Sequence, residues 1–281
     1  MFHLQRNPVL MQTALAVRDW TDDARQRLAD SSAGLSFNEG EHRYFLHGTE
    51  MRSVSSVVHL FDPFDAAKEA ERAAANPRHE HFGKSPEEIL AIWDRKRDDA
   101  ADAGTQVHAF GEACYHYMTS EEGLIDPAYR DRITAAGLAA VTPKEEACAR
   151  WWAGTDWYRF APVAKETRVV NPSLRYAGTF DLLLFDLSSG TFAQKDYKTN
   201  KDLRRWYGDM LRAPLNLLRD NGIGKYTVQQ TLYTLQLRNI GLPVASNDLI
   251  WLREDGFEEV PLETRYQAII EYAVKATIEN L

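Results

Sequence analysis

Asp196 and Lys198 stand two apart in Lys195-Asp196-Tyr197-Lys198-Thr199-Asn200, and a third group able to do chemistry, Asp181, lies upstream of them. In a strand, residues two apart share a face, so Asp196 and Lys198 point to one side and Tyr197 to the other. Ser188-Ser189-Gly190 reads as a turn that folds one strand back on the next. Asp181 lies seven residues before Ser188 and Asp196 six after Gly190, which makes neighbours of the two carboxylates. Two unscreened carboxylates that close repel and raise one another's pKa, and a divalent cation relieves this. Oxygen ligands suit magnesium or manganese. A lysine two residues from a metal-binding aspartate then has a definite use, because its ammonium orients an attacking water or stabilises charge on a pentavalent phosphate. Those are the parts that phosphodiester hydrolysis requires. An isolated D-x-K is more often a surface ion pair, so the rest of the chain has to decide.

The elements that must position these groups can be read from periodicity. Leu35 to Val58 reads as a hairpin with a His47-Gly48 turn and a helix beginning after Ser53. Ser85-Pro86-Glu87-Glu88 supplies an N-cap, a proline at the first helical position and a capping-box glutamate, predicting a helix to Ala103 that Gly104 ends. Thr105 then caps a second helix, on which Val107, Phe110, Cys114 and Tyr117 recur at helical spacing. Thr142-Pro143-Lys144-Glu145 repeats the start signature for a helix carrying Trp151 and Trp152. Strands are expected at 163–170, 176–187, 191–197 and 248–252, and helices at 226–240 and 263–281. The expected class is mixed α/β (α+β), a small mixed sheet flanked by helices.

A chain of 281 residues, 44% hydrophobic and 26% charged, is long enough to bury a full core. Its apolar runs are far shorter than the roughly 20 residues a bilayer span needs. The first twenty residues carry no sustained apolar stretch of secretory type, so a cytoplasmic setting is the working expectation. Cys114 and Cys148 are too few for a disulfide framework or an iron–sulfur cluster held by one chain. The formal charge of −8 argues against broad attraction to nucleic acid, although a local basic channel can operate on an acidic protein.

Ala177-Gly178-Thr179-Phe180-Asp181, leading through a hairpin into Asp196-Tyr197-Lys198-Thr199, resembles the PD-(D/E)xK nuclease superfamily, specifically its RecB-like and phage exonuclease branch. Four further segments resemble that branch in the same order along the chain. Met51-Arg52-Ser53-Val54-Ser55 looks like the segment before its first helix, and Gly104-Thr105-Gln106-Val107-His108 like its G-T-x-x-H helix start. Glu166 looks like the acidic residue of its first core strand, and Gln229 with Tyr233 like its Q-x-x-x-Y helix. The resemblance covers roughly residues 44–252.

It implies a restriction-endonuclease-like core over 104–281, with residues 1–103 as an N-terminal hairpin and helical elaboration forming one unit with it. It implies His108, Asp181 and Asp196 as ligands of one or two Mg2+ or Mn2+ ions, the carbonyl of Tyr197 as a further ligand, and Lys198 as the catalytic lysine. Glu166 would assist the metal site or position water, and Gln229 and Tyr233 would hold the lysine or the DNA backbone. Glu112, one helical turn after His108, is a further candidate carboxylate. The implied activity is that of a DNA exonuclease in phage-type replication, recombination or DNA processing. The implied partners are DNA with free or single-stranded ends, a replication or recombination protein, and further copies of the chain. The alternatives are a catalytically silent DNA-binding or scaffolding relative, and a phosphohydrolase of small nucleotides, which would need a closed pocket.

Between Lys195 and Lys225 there are eight basic residues against four acidic ones, with Trp206 and Tyr207 among them. Lys201, Arg204, Arg205, Trp206 and Tyr207 are therefore candidates for contact with nucleic acid, the rings by stacking on an unpaired base.

Overall fold

Helices and strands follow one another in the computed structural model, which describes residues 3–4, 18–119, 133–134 and 137–280. In chain order these are β1 (His3–Leu4), α1 (Arg18–Ser31), β2 (Leu35–Asn38), β3 (Arg43–Leu46), β4 (Thr49–Ser53), α2 (Val54–His59), α3 (Ala66–Ala75) and α4 (Pro86–Thr119). After β5 (Ile133–Thr134) and β6 (Gly137–Ala139) come α5 (Pro143–Gly154), β7 (Phe160–Asn171), β8 (Tyr176–Asp186) and β9 (Thr191–Lys198). The chain ends with α6 (Gly222–Asn239), β10 (Val244–Arg253), β11 (Gly256–Pro261), a short 3-10 turn at Thr264–Tyr266 and α7 (Gln267–Glu279). The expected mixed α/β class is the one observed: a mixed sheet with helices on both faces. Among the described residues no helix is long and apolar enough to cross a membrane.

The main sheet has eight strands, running β11-β10-β9-β8-β4-β3-β2, with β7 also on β8. Strand β7 pairs antiparallel with β8 from Phe160↔Asp186 to Asn171↔Tyr176. The other edge of β8 is divided. Strand β9 pairs antiparallel with residues 182–186, and β4 pairs parallel with residues 176–177. Among the described residues none pairs as a strand with 178–181 on that edge, and Asp181 is the last of these four. Inward residues alternate along β8 in the way a sheet covered on both faces requires. Leu183 and Phe185 belong to a core shared with α1, α2, α6 and α7, whereas Leu182 and Leu184 belong to one shared with α4 and α5.

Both expected capping boxes form. The Ser85 N–H donates to Glu88 Oε2 at 2.8 Å while the Glu88 N–H donates to Ser85 Oγ at 3.2 Å, and Thr142 and Glu145 make the same exchange at the start of α5. The break expected at Gly104 does not occur, because α4 runs unbroken for 34 residues. A mid-helix glycine costs about 1 kcal/mol relative to alanine, and close packing explains its presence. A Cβ at position 104 would lie 3.3 Å from Oγ1 of Thr199, just after β9. The expected division at 103/104 thus falls inside one helix, and β4 joins the 35–53 meander to β8.

Candidate metal and catalytic site

Register alone sets three acidic residues in a row. In the β7–β8 ladder Lys165 faces Leu182 and Thr167 faces Phe180, which puts Glu166 opposite Asp181. In the β8–β9 ladder Leu182 faces Lys195, and one step further Asp181 stands level with Asp196. There β9 leaves the ladder, and the Tyr197 N–H donates instead to Oδ2 of Asp181 at 2.7 Å. Glu166 has φ +40, a left-handed conformation rare for a non-glycine residue. Such strain, on the order of 1–3 kcal/mol, persists where surrounding structure over-determines it, and it sets this carboxylate's aim.

His108 reaches the row from α4, its Nδ1 lying 3.3 Å from Oδ2 of Asp181 and 3.7 Å from Oε1 of Glu166. One ligand atom each from His108, Glu166 and Asp181 fall within 4.8 Å of one another. Asp196 is held from two sides. Gln230 Nε2 donates to its Oδ1 at 2.7 Å, and the Lys198 ammonium makes an ion pair with its Oδ2, a buried oxygen that no aligned hydrogen bond satisfies. The Lys198 ammonium also lies 4.5 Å from the ring centroid of Tyr226, whose hydroxyl donates to Oδ1 of Asn200 at 2.9 Å.

These neighbours pull the site's charges apart. Burial pushes the Glu166 carboxyl up to about 7, helped by the charges of Asp181 and Glu112 and opposed by His108. Burial and the Asp181 charge raise Asp196 in the same way. Burial also disfavours the charged form of Asp181, but His108, Lys198 and the Tyr197 N–H outweigh it and hold this carboxyl below its ordinary value. For His108, burial works against the imidazolium and Asp181 overcomes it, so its pKa is raised. A proton on Nδ1 of His108 thus lies between two carboxylates.

That arrangement fits a divalent cation. Two carboxylates and one imidazole nitrogen converge, and two unscreened carboxylates that close repel one another. His108, Glu166 and Asp181 would hold the ion, with Asp196 beside them; the carboxylate oxygens suit magnesium or manganese, and the imidazole nitrogen favours manganese of the two. Glu166, read from the sequence as an assisting group, thus stands among the candidate ligands. Glu112 is instead engaged by Lys165 in an ion pair on the groove wall.

Tyr197 is fixed along its whole length. Its ring lies against Gly111, where a Cβ would approach to 2.7 Å, and its hydroxyl accepts from Trp152 Nε1 at 2.9 Å. Gln229 and Tyr233 both line the groove over the site, yet Gln229 does not contact Asp196. That contact belongs to Gln230, whose Oε1 accepts from Gln194 Nε2. Tyr233 packs beside Val54 on the face of β8 at Gly178, where a Cβ would approach its ring to 2.7 Å. Sequence reasoning passed over Gln194, Gln230 and Tyr226, although Gln194, Asp196 and Lys198 share one face by period two and Tyr226 and Gln230 share another by helical spacing.

The 199–221 connector is only in part at the site. Lys201 lines the groove. Arg204 pairs with Glu258 and lies over Trp251, Arg205 lies over Tyr207, and Arg219 covers Trp206. Lys144 also lines the groove and donates to the Thr199 carbonyl at 3.0 Å. Among the described residues neither Lys144 nor Lys201 has a carboxylate at ion-pair distance. No protein-family model matches the sequence, and no curated protein matches it.

Proposed function

We propose that this chain is a metal-dependent DNA nuclease of the PD-(D/E)xK type, and an exonuclease as the motif resemblance implies. The observation that carries this reading is the row Glu166–Asp181–Asp196 with His108 and Lys198 on the floor of an open groove. A bound divalent ion supplies Lewis-acid polarisation of a phosphoryl oxygen and a lowered pKa for water. The protein's own part is positional. Asp196 anchors the Lys198 ammonium, whose charge faces the groove where a phosphate would carry negative charge. The buried Gln194–Gln230 pair keeps the Asp196 carboxylate from rotating. Lys144 and Lys201 offer uncommitted charge for flanking phosphates. An open groove favours a polymer over a small nucleotide, which needs a closed pocket.

Linear and circular DNA incubated with Mg2+ or with chelator, using wild type, Lys198→Ala and Asp196→Ala, test the reading. Magnesium-dependent loss of linear DNA alone is expected from wild type, with both variants reduced by at least about a hundredfold. All substrates intact with wild type, or equal degradation by the variants, would sink it.

A further inference from the structure

The groove extends past Glu166 to a second cluster that none of the chemistry above uses. Arg168, two residues along β7 from Glu166, places its guanidinium 5.5 Å from the ring centroid of Phe37 in β2. Tyr44 backs Phe37 at 4.5 Å, and its hydroxyl is 3.0 Å from Oγ1 of Thr179 in β8, which ties the hairpin to the sheet. His42 stands edge-on to Phe37 at 5.1 Å. All four side chains line the same groove as the carboxylate row, and the outermost, Arg168 and His42, are exposed.

The charges along the groove differ in availability. Lys165 is taken by Glu112 and Lys198 by Asp196, whereas among the described residues Arg168 has no carboxylate at ion-pair distance. A planar cation on an aromatic support, beside an exposed imidazole, is what stacks on a nucleobase. A base inside a duplex offers its faces only to its neighbours, so a ring on a side wall can be reached only by an unpaired base. Arg168 and Glu166 line one groove, so this base would belong to the strand held at the carboxylate row.

We propose that Arg168 and His42, supported by Phe37 and Tyr44, form a stacking subsite for one unpaired base of a single-stranded nucleic acid next to the carboxylate row. The subsite rests on the nuclease reading, since its occupant is the strand being cut. It gives that reading a substrate class: single strands, or duplexes whose ends have opened.

Binding of labelled single-stranded deoxyoligonucleotides and of abasic oligomers of equal length, in Ca2+ to allow binding without turnover, tests it by fluorescence anisotropy. Arg168→Lys keeps the charge but loses the plane, and His42→Asn keeps a residue tolerant of positive φ, here +53. Wild type should prefer the base-bearing oligomer. Each variant should cut that affinity by about three- to tenfold, within the range for loss of one stacking contact, and leave abasic affinity unchanged. Equal losses on both oligomers, an unaltered preference in the variants, or no preference in wild type would overturn the subsite. If wild type binds neither oligomer the subsite also fails, and the magnesium cleavage assay separately decides the nuclease reading.

Discussion

Gln230 donates to one oxygen of Asp196 and Lys198 pairs with the other, so the orientation of this carboxylate is decided within the protein. Gln230→Ala removes the partner of both Asp196 and Gln194 in a buried setting. A loss of about 1–3 kcal/mol in denaturant-derived stability follows, with a fall in nuclease rate on the order of tenfold. Gln229→Ala leaves both of those bonds in place, losing only the 3.4 Å bond its Oε1 accepts from Gln230 Nε2, and should stay within about 0.5 kcal/mol of wild type. Should the Gln229 variant prove the more destabilised of the two, the support of Asp196 has been assigned to the wrong residue.

Gly111→Ala tests how tightly Tyr197 is clamped. The added methyl would meet the tyrosine ring at 2.7 Å with Trp152 holding the hydroxyl behind it, so the ring has nowhere to go. Overpacking of this kind costs about 1–3 kcal/mol. Because the Tyr197 N–H holds Asp181, cation binding should weaken along with the melting temperature. A variant that melts lower yet binds Mn2+ as tightly as wild type would separate the clamp from the site.

Adding Mn2+ or Mg2+ should raise the melting temperature of the chelator-treated protein, since the ion binds the folded row and not the unfolded chain. At a concentration one hundred times its Kd, a ligand contributes about 2.7 kcal/mol. Asp181→Asn, and His108→Ala to a lesser degree, should abolish most of that rise. Equal ion-induced shifts in wild type and Asp181→Asn would place the cation elsewhere.

Acid should erase the contribution of Asp186. Hydrogen bonds from Arg159 at 2.6 and 3.1 Å, with Ser188 adding its N–H and hydroxyl at 2.9 and 2.6 Å, hold this carboxyl well below the usual carboxylate range. A folded-state pKa below the unfolded one gives stability that is fully present above the unfolded value of about 4. It is lost as pH falls through the folded value. Asp186→Asn should lower the melting temperature by about 2–4 °C at neutral pH, and the gap to wild type should close progressively below about pH 4. A gap that stays constant down to pH 2 would contradict the assignment.

The carboxylate row is legible because strand geometry is arithmetic: a turn at Ser188–Gly190 fixes which residues of β8 and β9 meet. Gly104 misled because its smallness serves packing against Thr199, a contact 95 residues away that helix-stop reasoning cannot contain. Strand β11 went unread because Glu258 and Glu259 make it look like a charged loop, whereas they pair with Arg204 and Lys195. The choice between Gln229 and Gln230 depends on the rotational setting of α6, which its packing against α2, α7, β7 and β10 decides. Positive charge between Lys195 and Lys225 is overcounted for a similar reason, since Glu258 and Asp62, both outside that stretch, claim Arg204 and Lys225.

The open stretch at 178–181 gives the hairpin an unusual dependence on counting. Below it, pairing of 182–186 with 191–195 sets which side chains of β9 face which layer. Removing one residue from the Ser188–Gly190 turn would shift every β9 side chain by one step and exchange its two faces. Tyr197 and Thr199 would move to where Asp196 and Lys198 had been, with composition almost unchanged. Removing two restores the parity. Whether Asp196 and Lys198 face the groove is therefore written in whether the number of turn residues is odd or even, a property that a substitution scan of the same turn would never detect.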